Sequence, residues 1–165
     1  MKTLYLARHA KSDWGNEVLK DIDRPLNNRG YSDAYIQSVK FSTDQKHPDL
    51  IISSPAVRAF TTAGIFARTL KYREDKIILS PELYEASTGA VIHTIAATNN
   101  AVSTLMVFGH NPSFTEVFDE ISDSYIDNIP TCGIIGVSFK IKSWAEIITT
   151  KGHCFLSFFP KDFKQ

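Results

Sequence analysis

An arginine stands directly beside a histidine at the end of the first apolar segment, in the stretch LYLARHAKSDW (residues 4–14). When both are protonated, Arg8 and His9 repel each other, and both lose hydration on burial, so the pair does little for stability. An anion bound between the two side chains would remove the repulsion. The pair therefore indicates an anion site at this position.

Three further side chains that could take part in catalysis follow later apolar segments of the chain. Arg58 comes after PDLIISS, Glu85 comes after KIILS, and His110 comes directly after STLMVFG. Ligands of parallel sheets bind outside the carboxyl ends of the strands, where these segments all end. We therefore expect Arg58, Glu85 and His110 to meet Arg8 and His9 at one edge of a sheet.

Two arginines, two histidines and a carboxylate at one place predict phosphoryl transfer. The guanidinium groups stay charged and match phosphate oxygens in a clamp. One neutral imidazole can attack phosphorus and carry the phosphoryl group, and the second, protonated, can donate a hydrogen bond to an equatorial oxygen. The carboxylic acid can protonate the leaving atom and then deprotonate the attacking water. Because the cations supply the positive charge, we expect no metal and no cofactor.

The elements that must position these residues alternate between apolar strands and amphipathic helices. This alternation predicts a single α/β domain over residues 1–165, with a mainly parallel central sheet, at least one antiparallel strand, and helices on both faces as a three-layer sandwich. The helix in PAVRAFTTAGIFARTL is expected to turn Val57, Phe60, Ile65 and Leu70 toward the core.

Composition narrows the function classes. The chain has 18 basic and 18 acidic side chains and a formal net charge of zero, so we expect neither nucleic acid nor a membrane as a partner. It shows no secretory signal pattern and no apolar run long enough for a membrane helix, which favours the cytoplasm. Cys132 and Cys154 lack metal-site spacing and are interpreted as free thiols. The oligomeric state stays open.

Five motifs resemble those of the histidine phosphatase superfamily, also called the phosphoglycerate mutase-like family. LARHAKS is similar to the R-H-G motif of that family, and the others follow in the family's order: RPLNNRG, IISSPAVRAFTTA, LYE and FGHNPS. The short chain, with RHAKS, RPLNNRG and GHNPS, is most similar to the SixA-type phosphohistidine phosphatases. The resemblance implies a phosphoglycerate mutase-like fold and phosphatase activity without a cofactor.

The resemblance also implies roles for six residues. His9 matches the phosphorylated nucleophile, and Arg8 and Arg58 match phosphate-binding arginines. His110 matches the second histidine of the phosphate pocket, and Glu85 matches the proton donor. Ser12 matches a substrate-binding residue on the loop after the nucleophile.

One departure from the family pattern is Ala10, which stands where R-H-G has glycine. Alanine fits there provided that the backbone does not need a positive φ.

Alternative functions stay open at the level of sequence. The chain lacks the insertions with which mutases enclose their substrates, so the pocket suits a phosphorylated side chain on another protein, although a small phosphoester also fits. A phosphate-binding module with little turnover would share the fold. A metallohydrolase could use His9, His110 and Glu85 as ligands, but the sequence has no H-E-x-x-H or similar spacing.

Overall fold

A six-stranded β-sheet runs through residues 1–163, the part of the chain that this computed structural model describes. In chain order the strands are β1 (Lys2–Arg8), β2 (Leu50–Ser53), β3 (Ile78–Leu79), β4 (Thr104–Gly109), β5 (Ile134–Phe139) and β6 (His153–Phe158). Across the sheet the order is β3-β2-β4-β1-β5-β6. Strands β1 to β4 run parallel, whereas β5 is antiparallel to both β1 and β6. The expected mainly parallel sheet with an antiparallel strand is confirmed.

Helices cover both faces of the sheet. They are α1 (Asn28–Asp44), α2 (Val57–Thr69), α3 (Thr88–Ala96) and α4 (Ser113–Ile121). Side chains alternate along a strand, so Leu4 and Leu6 of β1 pack in the cluster that holds α3 and α4. The intervening Tyr5 and Ala7 pack in the cluster that holds α1 and α2. This arrangement confirms the three-layer architecture.

Helix α2 presents a different face to the core from the one expected. Val57 and Phe60 are exposed, at 37% and 41%, so that part of the expectation is wrong, while Leu70 is buried as expected. The buried face of the helix consists mostly of small side chains: Ala59, Ala63, Gly64, Ala67 and the larger Phe66. These small residues let the helix backbone lie close to α1 and the sheet, which outweighs the gain from burying the larger Val57 and Phe60.

The register of the central strands brings their carboxyl ends to one edge. Arg8, the last residue of β1, pairs with Gly109, the last residue of β4. One residue further on, the backbone N–H of His9 donates to the Gly109 carbonyl at 3.1 Å. Parallel pairing therefore places His9 and His110 next to each other, as the sequence predicted.

The start of α1 is tied to the loop that follows His9. The side chain of Asn27 caps the helix by accepting from the backbone N–H of Gly30 at 2.8 Å, and the N–H of Asn27 donates to the Lys11 carbonyl at 3.0 Å. Gly30 lies so close to Lys11 that a Cβ atom there would sit 2.1 Å from the Lys11 oxygen. The absence of a side chain at Gly30 is what allows this approach.

Candidate active site

His9 is buried at the end of β1 with its ring orientation fixed by the backbone. Its exposed fraction is 7%, and its Nδ1 lies 2.7 Å from the carbonyl oxygen of Ala10. A carbonyl can only accept, so Nδ1 carries the proton. Nε2 consequently keeps its lone pair, as a nucleophile requires.

The loop after His9 is held against α2. The N–H of Ala10 donates to the Thr62 hydroxyl at 3.1 Å, and that hydroxyl donates to the Arg58 carbonyl at 2.7 Å. Ala10 does not adopt a positive φ, and it is fully buried. Alanine is therefore compatible with this position.

His110 faces His9 across the edge of the sheet. The centroids of the two rings are 5.2 Å apart, with 52° between their planes. The Nε2 of His110 lies 2.8 Å from the Ser54 hydroxyl, which follows β2. The other ring nitrogen, Nδ1, is buried and has no hydrogen-bond partner among the described residues.

Burial keeps both imidazoles neutral in the free protein, which differs from the protonated state that the sequence predicted for the second histidine. It lowers the pKa of His9 to about 3, with smaller contributions in the same direction from the charges of His110, Arg58 and Arg8. Burial likewise lowers the pKa of His110 to about 4, with Arg58 adding to the effect. Arg8 adjoins His9 in the chain, and Arg58 is linked through the Thr62 hydroxyl to the backbone N–H of Ala10.

Each of the two arginines has one side of its guanidinium group anchored. Arg8 donates through Nη1 to the Ile129 carbonyl at 2.9 Å. Arg58, on the first turn of α2, donates through Nη1 to the Asp21 carbonyl at 2.7 Å and through Nη2 to the Asp21 carboxylate at 3.0 Å. The Nε atoms of Arg8 and Arg58 are buried and have no partner among the described residues.

Three buried nitrogens on residues near His9 thus lack a hydrogen-bond partner within residues 1–163: Nε of Arg8, Nε of Arg58 and Nδ1 of His110. Buried polar groups are nearly always hydrogen-bonded, so the two Nε–H donors call for an outside acceptor. Nδ1 of His110 is a third donor when the Ser54 hydroxyl donates to its Nε2. An anion with several oxygens provides acceptors for all three. The arrangement is suited to a phosphoryl group.

Ser12 is buried, and its hydroxyl accepts a hydrogen bond from Nη1 of Arg24. Arg24 itself is buried, and its guanidinium carbon lies 3.5 Å from the centroid of the Trp14 ring. A cleft of about 310 Å³ opens beside this pair. Arg24 therefore fixes the loop that carries Ser12.

Sequence reasoning missed Asp21, Arg24 and Tyr84. The carboxylate of Asp21 binds Arg58, Arg24 and the hydroxyl of Tyr84, the last at 2.7 Å. The ring centroids of Tyr84 and His110 are 5.8 Å apart, with 75° between the ring planes. The motif RPLNNRG contains Arg24, but its proline, its two asparagines and its glycine were interpreted only as turn residues.

Glu85 differs in its surroundings from the other four residues of the predicted set. It is exposed, in the loop before α3, and its backbone adopts a positive φ of 51°. Its carboxylate forms no hydrogen bond or ion pair with a described residue. Its neighbour Tyr84, rather than Glu85, forms the hydrogen bond with Asp21.

Within residues 1–163, no group of three or more histidine, cysteine, aspartate or glutamate side chains is arranged to hold a metal ion. Cys132 and Cys154 are both free thiols, as expected. None of the described helices is both long and apolar enough to cross a bilayer.

A family model with the description "histidine phosphatase superfamily (branch 1)" matches residues 4–110. The chain belongs to this superfamily. The match begins in β1 and ends at His110, so it includes the motif around His9 and the strand ends that surround it.

Similar protein sequences and solved structures agree with this family assignment. An uncharacterized chloroplastic protein of Arabidopsis thaliana is 29% identical over 159 residues, covering 92% of this chain and 72% of that one. A putative phosphohistidine phosphatase SixA of Agrobacterium tumefaciens is 29% identical, with a TM-score of 0.77 over 83% of this chain and 91% of that one. A protein histidine phosphatase SixA complexed with tungstate has a TM-score of 0.83 at 19% identity, covering 98% and 99%. The histidine phosphatase superfamily and the SixA-like fold are therefore confirmed.

Proposed function

We propose that the protein is a metal-independent phosphatase that transfers the phosphoryl group of a phosphohistidine side chain to His9 and then to water. The observation that carries this proposal is the set of buried nitrogens without partners on Arg8, Arg58 and His110, together with the unprotonated Nε2 of the neighbouring His9. A nucleophile beside preformed hydrogen-bond donors is the arrangement that phosphoryl transfer needs.

The first step forms a bond between Nε2 of His9 and phosphorus while the bond from phosphorus to the leaving atom breaks. The developing positive charge on the His9 ring is stabilised because Nδ1–H donates to the Ala10 carbonyl. The donors of Arg8, Arg58 and His110 stabilise the equatorial oxygens. In the second step a water oxygen bonds to phosphorus while the bond from phosphorus to Nε2 breaks. The water gives up one proton to the solvent, inorganic phosphate leaves, and His9 recovers its lone pair.

Phosphohistidine makes a smaller demand on Glu85 than an alkyl phosphoester does. An alkoxide leaving group needs a proton donor, the role proposed for Glu85, whose exposed carboxyl is not hydrogen-bonded to a described residue. An imidazole whose second nitrogen is protonated leaves as a neutral molecule and needs no such donor. The proposed partner is therefore a phosphorylated protein, and the proposed location is the cytoplasm.

The experiment that tests the proposal measures phosphate release from a phosphohistidine peptide and from an aryl phosphate in excess EDTA. Wild type should turn over the peptide, and His9→Ala should lower the rate by at least about a thousandfold because it removes the nucleophile. Loss of wild-type activity to EDTA would point to a metallohydrolase. Turnover of the aryl phosphate alone would point to a phosphatase of small phosphoesters, and silence on both would point to a binding module.

Glu85→Gln separates the two substrate classes further. We expect it to slow hydrolysis of an alkyl phosphoester about tenfold or more, because a general acid contributes on the order of 10²–10⁴ when the leaving group needs a proton. Phosphohistidine turnover should change by less than about threefold. The measurement is kcat on both substrates, and equal losses on the two would contradict the proton-donor role of Glu85.

A further inference from the structure

Asp21 lies beside the proposed phosphate site and accepts hydrogen bonds from the arginines there. It begins a short 3₁₀ helix, Asp21–Asp23, in the loop between β1 and α1. Its backbone carbonyl and its Oδ2 both accept from Arg58, at 2.7 and 3.0 Å. Its Oδ1 accepts from Nε and Nη2 of Arg24, at 3.2 and 3.0 Å.

We propose that Asp21 is the positioning residue of Arg58, which it orients so that the N–H groups not bound to Asp21 meet the equatorial oxygens of the phosphoryl group. This inference rests on the proposed function. The two contacts from Asp21 take one N–H of each Nη atom of Arg58, and the buried Nε has no partner among the described residues. They therefore fix both the plane and the direction of the guanidinium group.

Arg58 needs such an anchor because of its place in the fold. It lies on the first turn of α2, where the partial positive charge of the helix N-terminus repels a cation. Its side chain is buried, with 7% exposed. The Asp21 carboxylate offsets that repulsion and holds the guanidinium group near the phosphate site when no substrate is bound.

Asp21 is itself held in place from two further directions. The Tyr84 hydroxyl donates to Oδ2 at 2.7 Å, and Arg24 links Oδ1 to the Ser12 hydroxyl. The Tyr84 hydrogen bond, followed by those of Arg58 and Arg24, holds the pKa of the Asp21 carboxyl well below its usual range. An ionised carboxylate only accepts, so Asp21 does not supply the proton for the leaving group.

Positioning and charge make opposite contributions to phosphate binding. The Asp21 carboxylate repels a phosphate dianion, so removing its charge should not weaken binding of phosphate. The orientation of Arg58 matters most for the five-coordinate transition state, because only there do the three equatorial oxygens lie in one plane that a fixed guanidinium group can complement. A positioning role therefore predicts a loss in kcat and in affinity for a five-coordinate analogue, without a matching loss in affinity for phosphate.

The experiment compares wild type with Asp21→Asn, Arg58→Ala and the double variant. The probes are inorganic vanadate, which forms the five-coordinate analogue, inorganic phosphate, and the kcat for a phosphohistidine peptide. We expect Asp21→Asn to lower kcat and vanadate affinity about tenfold each, as for a misplaced catalytic group. Phosphate affinity should stay within about twofold of the wild-type value or increase. When Arg58 is already alanine, Asp21→Asn should lower kcat and vanadate affinity by less than about a further twofold.

The matched control is Asp23→Asn, an exposed carboxylate of the same 3₁₀ helix, which should leave all three quantities unchanged. Asp21→Glu keeps the charge but displaces it by one methylene, and it should lower kcat in the same direction if Asp21→Asn does not fold. Thermal unfolding by circular dichroism identifies variants that fold.

Three results would overturn the inference. They are an unchanged kcat and vanadate affinity in Asp21→Asn, an equal loss when Arg58 is already alanine, and a rise in kcat, which would mean that Asp21 blocks the site. The vanadate titrations need no turnover. A wild-type protein that fails to hydrolyse phosphohistidine would therefore refute the proposed function while the coupling between Asp21 and Arg58 is still measured.

Discussion

At the scale of single residues, the chemistry depends on which nitrogen of each histidine is free. The Ala10 carbonyl holds the proton of His9 on Nδ1, so Nε2 is the reactive atom. Burial then keeps that nitrogen unprotonated, since it lowers the pKa of His9 to about 3. The nucleophile should therefore remain competent well below neutral pH.

The same burial predicts how stability depends on pH. A histidine that stays neutral in the folded protein but titrates near pH 6.5 when unfolded contributes fully above that pH, and its contribution falls as the pH drops toward the folded value. When the pH falls from about 7.5 to about 5, the buried, neutral state of His9 should lower the free energy of unfolding by about 2 kcal/mol. In urea denaturation at the two pH values, the free energy of unfolding of His9→Gln should therefore fall less than that of wild type, by about this amount.

The control for the pH experiment is His47→Gln, which replaces an exposed histidine far from the site in sequence. It should follow the wild type at both pH values. An identical pH dependence in His9→Gln and wild type would contradict the neutral, buried state of His9.

The sequence predicted the positions of Arg8, His9, Arg58 and His110, because each one ends a strand, directly follows a strand end or opens the next helix. Parallel pairing then brings Arg8, His9, Arg58 and His110 together without reference to loop conformation. Asp21 and Tyr84 were not predictable, because their contacts depend on how the 13–27 loop folds back over α2. No periodicity or spacing in that loop indicates such a path.

At the scale of elements, the approach of α1 to the loop after His9 decides whether the site is preformed. The contact is made by backbone atoms, with the N–H of Asn27 donating to the Lys11 carbonyl at 3.0 Å. Gly30 packs against the same carbonyl. A displacement of α1 would therefore move the residues that follow the nucleophile.

Gly30→Ala tests this contact. The added Cβ would lie 2.1 Å from the Lys11 oxygen and 3.0 Å from its carbonyl carbon, so backbone must shift. We expect the free energy of unfolding to fall by at least about 2 kcal/mol, as for an overpacked site, and kcat to fall with it. Thermal unfolding and phosphate release provide the two measurements.

The matched control is Gly89→Ala on α3, where the nearest atom to an added Cβ is the Ser87 hydroxyl oxygen at 4.0 Å. It should leave activity unchanged and stability unchanged or higher by up to about 1 kcal/mol. Equal effects of the two substitutions would mean that the clash with Lys11 does not govern the position of α1.

Helix positions were easier to predict than helix orientation. The motif SSPAVRA placed the start of α2 within a few residues, and the structure begins that helix at Val57. The buried face was wrong for Val57 and Phe60 because hydrophobicity alone favours large side chains. The packing of α2 is instead governed by how closely its backbone approaches its neighbours, which the alanines at 59, 63 and 67 permit.

At the scale of the whole molecule, the two clusters of buried side chains share one sheet. Strand β4 contributes Leu105 and Val107 to one cluster and Met106 and Phe108 to the other. Loss of packing on either face would therefore disturb the strands that end in His9 and His110. We propose that the chain folds as a single cooperative domain.

Tryptophan fluorescence tests this cooperativity. Trp144 is fully buried, whereas Trp14 is 69% exposed, so in Trp14→Phe the signal reports on the Trp144 core. Its urea transition should coincide with the loss of helical circular dichroism and with the loss of activity, as in two-state unfolding. Separate transitions would contradict a single domain.

The most direct test of the mechanism is to trap the phosphorylated protein and locate the phosphoryl group. A rapid alkaline quench during turnover, followed by mass spectrometry and nuclear magnetic resonance of the His9 peptide, identifies both the residue and the ring nitrogen. The hydrogen bond from Nδ1 to the Ala10 carbonyl predicts phosphohistidine on Nε2 of His9 and none in His9→Ala. A phosphoryl group on Nδ1 or on another residue, or turnover without any phosphorylated protein, would contradict the mechanism.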